Sequence, residues 1–165
     1  ALVISNMIDA WSKRGIVLLN ISPMANGIIP DAQREVLTAI GRWIKKHKEA
    51  VYETRAYSTF GYGRAEFEEN VFGGQTATMD YNYQDIRFAV SKDKKNLYVY
   101  SLGLPEPNAD FEIHQVVEPD IKRVSVVGSD VELEWSKTGD VLTITTPDAS
   151  EMDEIATVFK VEFEE

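Results

Sequence analysis

Near the start of the chain, Ile16-Val17-Leu18-Leu19-Asn20-Ile21 forms an almost unbroken apolar run between Gly15 and Pro23. It constrains the fold more than any other feature. Branched side chains without polar alternation read as a strand covered on both faces, as in a parallel sheet. On its N-terminal side Ile4, Met7, Ile8 and Trp11 follow helical spacing, and Gly15 stops that helix near Arg14. On its C-terminal side the loop Ser22 to Gly27 carries an Asn-Gly turn signal. Pro30 then takes a first helical position, with Asp31 and Glu35 near the positive helix end. Val36, Leu37, Ile40, Trp43 and Ile44 make one stripe of this second helix, and Lys45 to Lys48 suit the negative end of its dipole. Helix, buried strand, loop, helix is the rhythm of a parallel α/β protein. A single parallel strand has no sheet, so its neighbours must come from residues outside this chain, a partner subunit or a second copy. The expectation is an incomplete chain that is not an enzyme by itself.

The pattern changes after Tyr52. Ile86 to Ser91, Asn96 to Leu104, Phe111 to Glu118, Ile121 to Gly128, Val131 to Trp135, Val141 to Pro147 and Thr157 to Phe163 read as strands, several with period-two alternation. Short turns such as Lys92 to Asn96, Gly128 to Asp130 and Lys137 to Asp140 separate them. About seven strands so spaced imply an antiparallel sandwich. The polar stretch Gly61 to Gln84 reads as a long connection. The expected fold is therefore mainly β: a C-terminal antiparallel β-sandwich preceded by a helix-strand-helix unit, divided into residues 1–57, a connection 58–85 and the sandwich 86–165.

Charge splits at the same place. Of the net −10, the residues up to Tyr57 carry +3 and those from Ser58 carry −13. An acidic surface without a Lys/Arg stripe repels phosphate backbones, so nucleic acid is a poor partner. No apolar stretch approaches the roughly 20 residues of a membrane span. The absence of cysteine removes disulfides, thiolate metal sites and thiol nucleophiles.

The segment Ser12 to Pro30, in full Ser-Lys-Arg-Gly-Ile-Val-Leu-Leu-Asn-Ile-Ser-Pro-Met-Ala-Asn-Gly-Ile-Ile-Pro, resembles the last barrel strand of α-L-fucosidases, the retaining glycoside hydrolases of family 29. Gln33, Ile40 to Trp43, Glu49 to Tyr52 and Thr54-Arg55 are similar to the helix and exit that follow it. Tyr83 to Phe88 and Asn96 to Tyr100 resemble the first strands of the family's C-terminal sandwich, and Val127 to Ser129, Trp135 and Leu142 to Ile144 resemble later ones. Asn26 stands where Asp is commoner, and Gly61 to Arg64 replaces a Gly-Glu-Gly-Pro-like turn. The resemblance implies that residues 1–57 are the last β/α unit of a (β/α)8 barrel supplied upstream. It implies a parent that acts on fucosylated glycans in a periplasmic, secreted or lysosomal setting.

A retaining glycosidase needs two carboxylates about 5 to 5.5 Å apart. In the family both lie upstream of the matched segment, so the resemblance assigns no catalytic residue here. No cofactor and no metal site are expected. Active sites of such barrels gather at the C-terminal ends of the strands. That leaves Asn20, Ser22 and Met24 as the substrate-adjacent candidates, against the plainer role of a strand-end amide satisfying backbone groups. Glu66, Glu68 and Glu69, or Glu151, Asp153 and Glu154, lack the ordered spacing of a calcium loop. His47 and His114 stand alone and read as packing or surface residues. Tyr81, Tyr83, Tyr98, Tyr100 and Trp135 form either a sugar-stacking platform or core. The platform reading makes the sandwich a carbohydrate-binding module in its own right.

Overall fold

The computed structural model describes residues 1–63, 80–118, 120–129 and 131–164. Helix α1, Leu2–Ser12, buries Ile4, Ser5, Ile8 and Ser12. It stops where Arg14 turns left-handed (φ 64°) and the Gly15 N–H reaches back to the Ala10 carbonyl at 2.7 Å. A Cβ at position 15 would lie 2.9 Å from that same oxygen, which is why glycine closes this helix. Helix α2, Asp31–Lys46, begins one residue after Pro30 and buries Ile40 and Trp43, and the short α3, Lys48–Val51, follows at once.

Between α1 and α2 the structure departs from expectation. Residues 16–21 form no regular secondary structure and pair with no strand among the described residues, and Ile16 and Leu18 are 96 % and 87 % exposed. The expected strand covered on both faces is thus an unpaired and mostly exposed segment. Its composition is that of a sheet interior, but no strand among the described residues neighbours it to complete a ladder.

The remaining elements are β1 (Thr54–Tyr62), β2 (Ile86–Ser91), β3 (Asn96–Ser101), β4 (Asp110–Ile113), β5 (Ile121–Val126), β6 (Trp135–Thr138), β7 (Val141–Thr145) and β8 (Thr157–Phe163). They form a five-stranded sheet, β1-β2-β3-β8-β5, and a three-stranded sheet, β4-β7-β6. All pairings are antiparallel. The expected strands Ile86 to Ser91 and Thr157 to Phe163 recur with their bounds and the others are shorter, except that Val131 to Trp135 contributes only a bridge at Glu132 before β6 begins at Trp135. Strand β1 has no counterpart among the expected strands and runs across the expected boundary after Tyr57. Most of the connection read at 61–84 lies outside the described residues.

The larger sheet is covered on both sides. Phe88, Val90, Leu97, Val99, Phe159 and Val161 pack with Ile113, Leu142 and Ile144 of the smaller sheet. The alternate residues Ala89, Tyr98, Tyr100 and Val158 pack with Ile4, Ile8, Ile40 and Trp43 of the helices. The order of layers is therefore helices, five strands, three strands, and β2 and β3 are buried at nearly every position for that reason.

Along one side the two sheets meet where β1 of the larger lies against the residues that follow β4 of the smaller. The Tyr57 hydroxyl donates to Glu118 Oε2 at 2.5 Å and accepts the Val117 N–H at 3.1 Å, and the Tyr62 hydroxyl accepts the His114 N–H at 3.0 Å. Between these tyrosines β1 loses register with β2, from Ala56 to Gly61. Gly61 (φ 138°) passes so close to β2 that a Cβ there would sit 2.0 Å from the Ile86 carbonyl oxygen.

Candidate functional site

The three substrate-adjacent candidates lie on the exposed segment and the loop after it. The Ser22 N–H donates to Gln33 Oε1 at 2.9 Å, and Gln33 Nε2 donates to the Ser22 carbonyl at 3.2 Å, a two-point clamp between segment and helix. Met24 is half exposed in a turn closed by Met24 N–H to Ile28 carbonyl and Gly27 N–H to Met24 carbonyl bonds of 2.9 and 2.8 Å. Asn26 Oδ1 accepts the Ile28 N–H at 3.1 Å. Asn20 and Ser22 share an open groove of about 390 Å³ with Leu19, Ile21, Ala32, Gln33, Val36 and Leu37, and Met24 is not part of its lining. That lining offers amides, a hydroxyl and apolar surface but neither carboxylate nor imidazole, so it can orient a polar ligand and cannot move a proton as an acid/base pair would.

The remaining candidates have structural employment. His47 is buried and stacked on Trp43, with ring centroids 4.3 Å apart, and its Nδ1 bonds the Trp43 carbonyl at 2.9 Å. Burial holds its pKa below the ordinary histidine value, against the opposing pull of that backbone bond. Glu151 accepts the Ser129 hydroxyl at 2.6 Å, while Asp153 pairs with Lys46 at 3.2 Å and accepts the Ile155 N–H at 3.0 Å. Glu66, Glu68 and Glu69 lie outside the described residues. Among the described residues no cluster of three His, Cys, Asp or Glu is placed to hold a metal.

The aromatic set is split. Tyr98 and Tyr100 are buried under the helices, where the Tyr100 hydroxyl donates to the Ala50 carbonyl and the Tyr98 hydroxyl to Glu49. Burial raises both phenols well above their ordinary range, with Glu49 adding to the rise at Tyr98. Trp135 stands apart on β6, at the edge of the smaller sheet. Tyr81 and Tyr83 precede β2, and Tyr83 turns its half-exposed ring into a cleft at the seam with Tyr62, Gln84, Asp110, Phe111, Glu112 and His114. Sequence reasoning named Tyr83 and His114 separately. Only the fold brings them to one cleft, where Tyr83 leads into β2 and His114 follows β4.

Helix α1 is locked to the sheet by a buried charge pair. Arg87 Nε donates to Asp9 Oδ1 at 2.5 Å, while its Nη1 reaches the Tyr62 and Ile86 carbonyls at 3.1 and 2.8 Å. Lys13 meets the other Asp9 oxygen at 2.9 Å, and the Phe60 and Tyr81 rings flank the guanidinium at 5.7 and 5.8 Å. A buried pair supplied with this many partners is coherent as a positional lock.

The chain is similar to known proteins over most of its length. The profile of a family described as Alpha-L-fucosidase matches residues 1–49. Human tissue α-L-fucosidase is 25 % identical over 135 residues, covering 81 % of this chain and 24 % of the human protein. Rat plasma α-L-fucosidase is 36 % identical over 55 residues, covering 33 % of this chain and 12 % of the rat protein. The crystal structure of Thermotoga maritima α-fucosidase in complex with a mechanism-based inhibitor superposes with a TM-score of 0.74 at 26 % identity, covering 97 % of this chain and 33 % of that one. Over these stretches this chain is similar to α-L-fucosidases. Its length is a fraction of theirs: it spans 24 % of the human tissue enzyme and about a third of the solved structures. A family 29 α-L-fucosidase from Bacteroides thetaiotaomicron, at 15 % identity and a TM-score of 0.70, shares the fold.

Proposed function

We propose that the chain is the C-terminal segment of an α-L-fucosidase-like glycoside hydrolase whose parent cleaves terminal α-L-fucosyl linkages with retention. In this reading residues 1–57 are the last β/α unit of the catalytic barrel, 58–85 the connection and 86–165 the sandwich. The segment supports the barrel and lacks the catalytic carboxylate pair. The observation that carries it is the unpaired run at 16–21, with the side chains of a sheet interior, held beside α2 by the Ser22–Gln33 clamp while Ile16 and Leu18 stay bare. An upstream barrel supplies the missing strands on either side of that run. Asn20, Ser22 and Met24 then sit at the end of the last strand, toward the fucose-binding face, as positioning rather than catalytic groups.

The test is turnover of an aryl α-L-fucoside. The chain alone is expected to be inactive, and the same chain extended upstream to include the barrel is expected to be active. Turnover by the chain alone, abolished by replacing one of its own carboxylates, overturns the reading. Self-association through the bare run is the competing way to cover it, and concentration-dependent mass in light scattering separates the two.

A further inference from the structure

We propose that the cleft at the seam between β1 and β4 binds a neutral oligosaccharide, stacked on the Tyr83 ring and held through its hydroxyls by Asp110, Glu112 and Gln84. The cleft measures about 460 Å³, inside the range of about 300–1,000 Å³ usual for small-molecule sites. Its groups are set by the fold. Asp110 and Glu112 alternate along β4 and are exposed, while Ile113 between Glu112 and His114 is in the core. They therefore present two acceptors on one side of the strand, and His114 continues the row.

The stacking surface is backed by other rings. Tyr83 leans on Phe111 at 6.4 Å and Phe111 on core Phe159 at 6.0 Å. The backbone beneath it is pinned as well: the Ser101 hydroxyl donates to the Tyr83 carbonyl at 2.7 Å, Asn82 Oδ1 accepts the Gln84 N–H at 2.8 Å, and buried Asp85 accepts the Asn82 N–H at 2.8 Å. A half-exposed ring fixed in this way loses little entropy when a sugar face settles on it.

The chemistry of the lining selects the ligand. Two carboxylates in a chain of net charge −10 repel anions. Glu112 faces His114 Nε2 at 3.6 Å, which leaves carboxylate oxygens and the Gln84 amide to accept and donate with hydroxyls. An aromatic face beside neutral-hydroxyl partners fits a pyranose ring. The choice of a sugar over other polyols rests on the carbohydrate reading above, whereas the site is separate from the Asn20 groove.

The experiment titrates the full chain with lactose and with a neutral fucosylated lactose, following backbone amides by NMR. Saturable shifts are expected at Gln84 and from Asp110 to Ile113. Tyr83→Ala should weaken binding at least tenfold and Gln84→Ala about threefold or more. Trp135→Ala should leave binding unchanged, with unfolding midpoints confirming that each variant is folded. Absence of saturable shifts, shifts centred on the Asn20 groove or on Trp135, or tighter binding of spermidine than of either sugar overturns the proposal. None of those results bears on fucoside hydrolysis by the upstream-extended chain, so the two readings fail separately.

Discussion

Tyr57 shows what one side chain does at the seam. Its hydroxyl both donates to Glu118 and accepts from Val117, and burial with that carboxylate partner pushes its pKa up to about 12 from 10. A folded-state pKa raised above the unfolded value contributes stability that is complete below pH 10 and is lost as pH rises from 10 through about 12. Tyr57→Phe should remove that alkaline loss and, by stranding two partners, cost about 1–3 kcal/mol at neutral pH; urea midpoints at pH 8 and pH 11 measure both. His47 behaves in the opposite sense. Its folded pKa lies below 6.5, so its contribution is complete above 6.5 and declines as pH falls through the folded value. The melting temperature should drop between pH 7.5 and pH 5, and His47→Gln should flatten that part of the drop, with Asp153 and Lys46 pulling in opposite directions on the same ring. The buried histidine was legible only in part: its i,i+4 relation to Trp43 is in the sequence, but the basic residues on either side hid it.

Single elements mark where pattern reading succeeds and stops. The helices, β2, β3 and β8 were legible because their periodicity and turn residues agree. Strand β1 was not, because it places only Tyr57 and Gly61 among the buried residues and spends its middle in a register break. Gly61 is the element's narrowest point. Gly61→Ala should displace β1 from β2 and lower stability by about 2 kcal/mol or more, since both a φ of 138° and a backbone contact oppose the added methyl; loss of amide protection at Arg87 would report it. Asn20 was legible as an address on the chain, but its groove was not, because the groove forms only where residues 19–22 lie beside α2. Releasing the clamp tests how firmly that address is held: Gln33→Ala should speed amide exchange at Ser22 at least tenfold with little effect on the global midpoint.

Across the whole molecule, two apolar layers share one sheet. Phe159→Ala, in the layer facing the smaller sheet, should cost about 3–5 kcal/mol, as full truncation of a buried aromatic does; a denaturation curve checks it. The loss should destabilise α1 as much as β3, because the sheet carries both faces. Tyr98, Tyr100, Ala89 and Val158 are interior only while α1 and α2 lie over them. Cutting the chain between the helices and the strands therefore frees no independent sandwich; it opens an aromatic wall to water. Helices and larger sheet share one apolar layer, and a break drawn between them in the sequence runs through that layer.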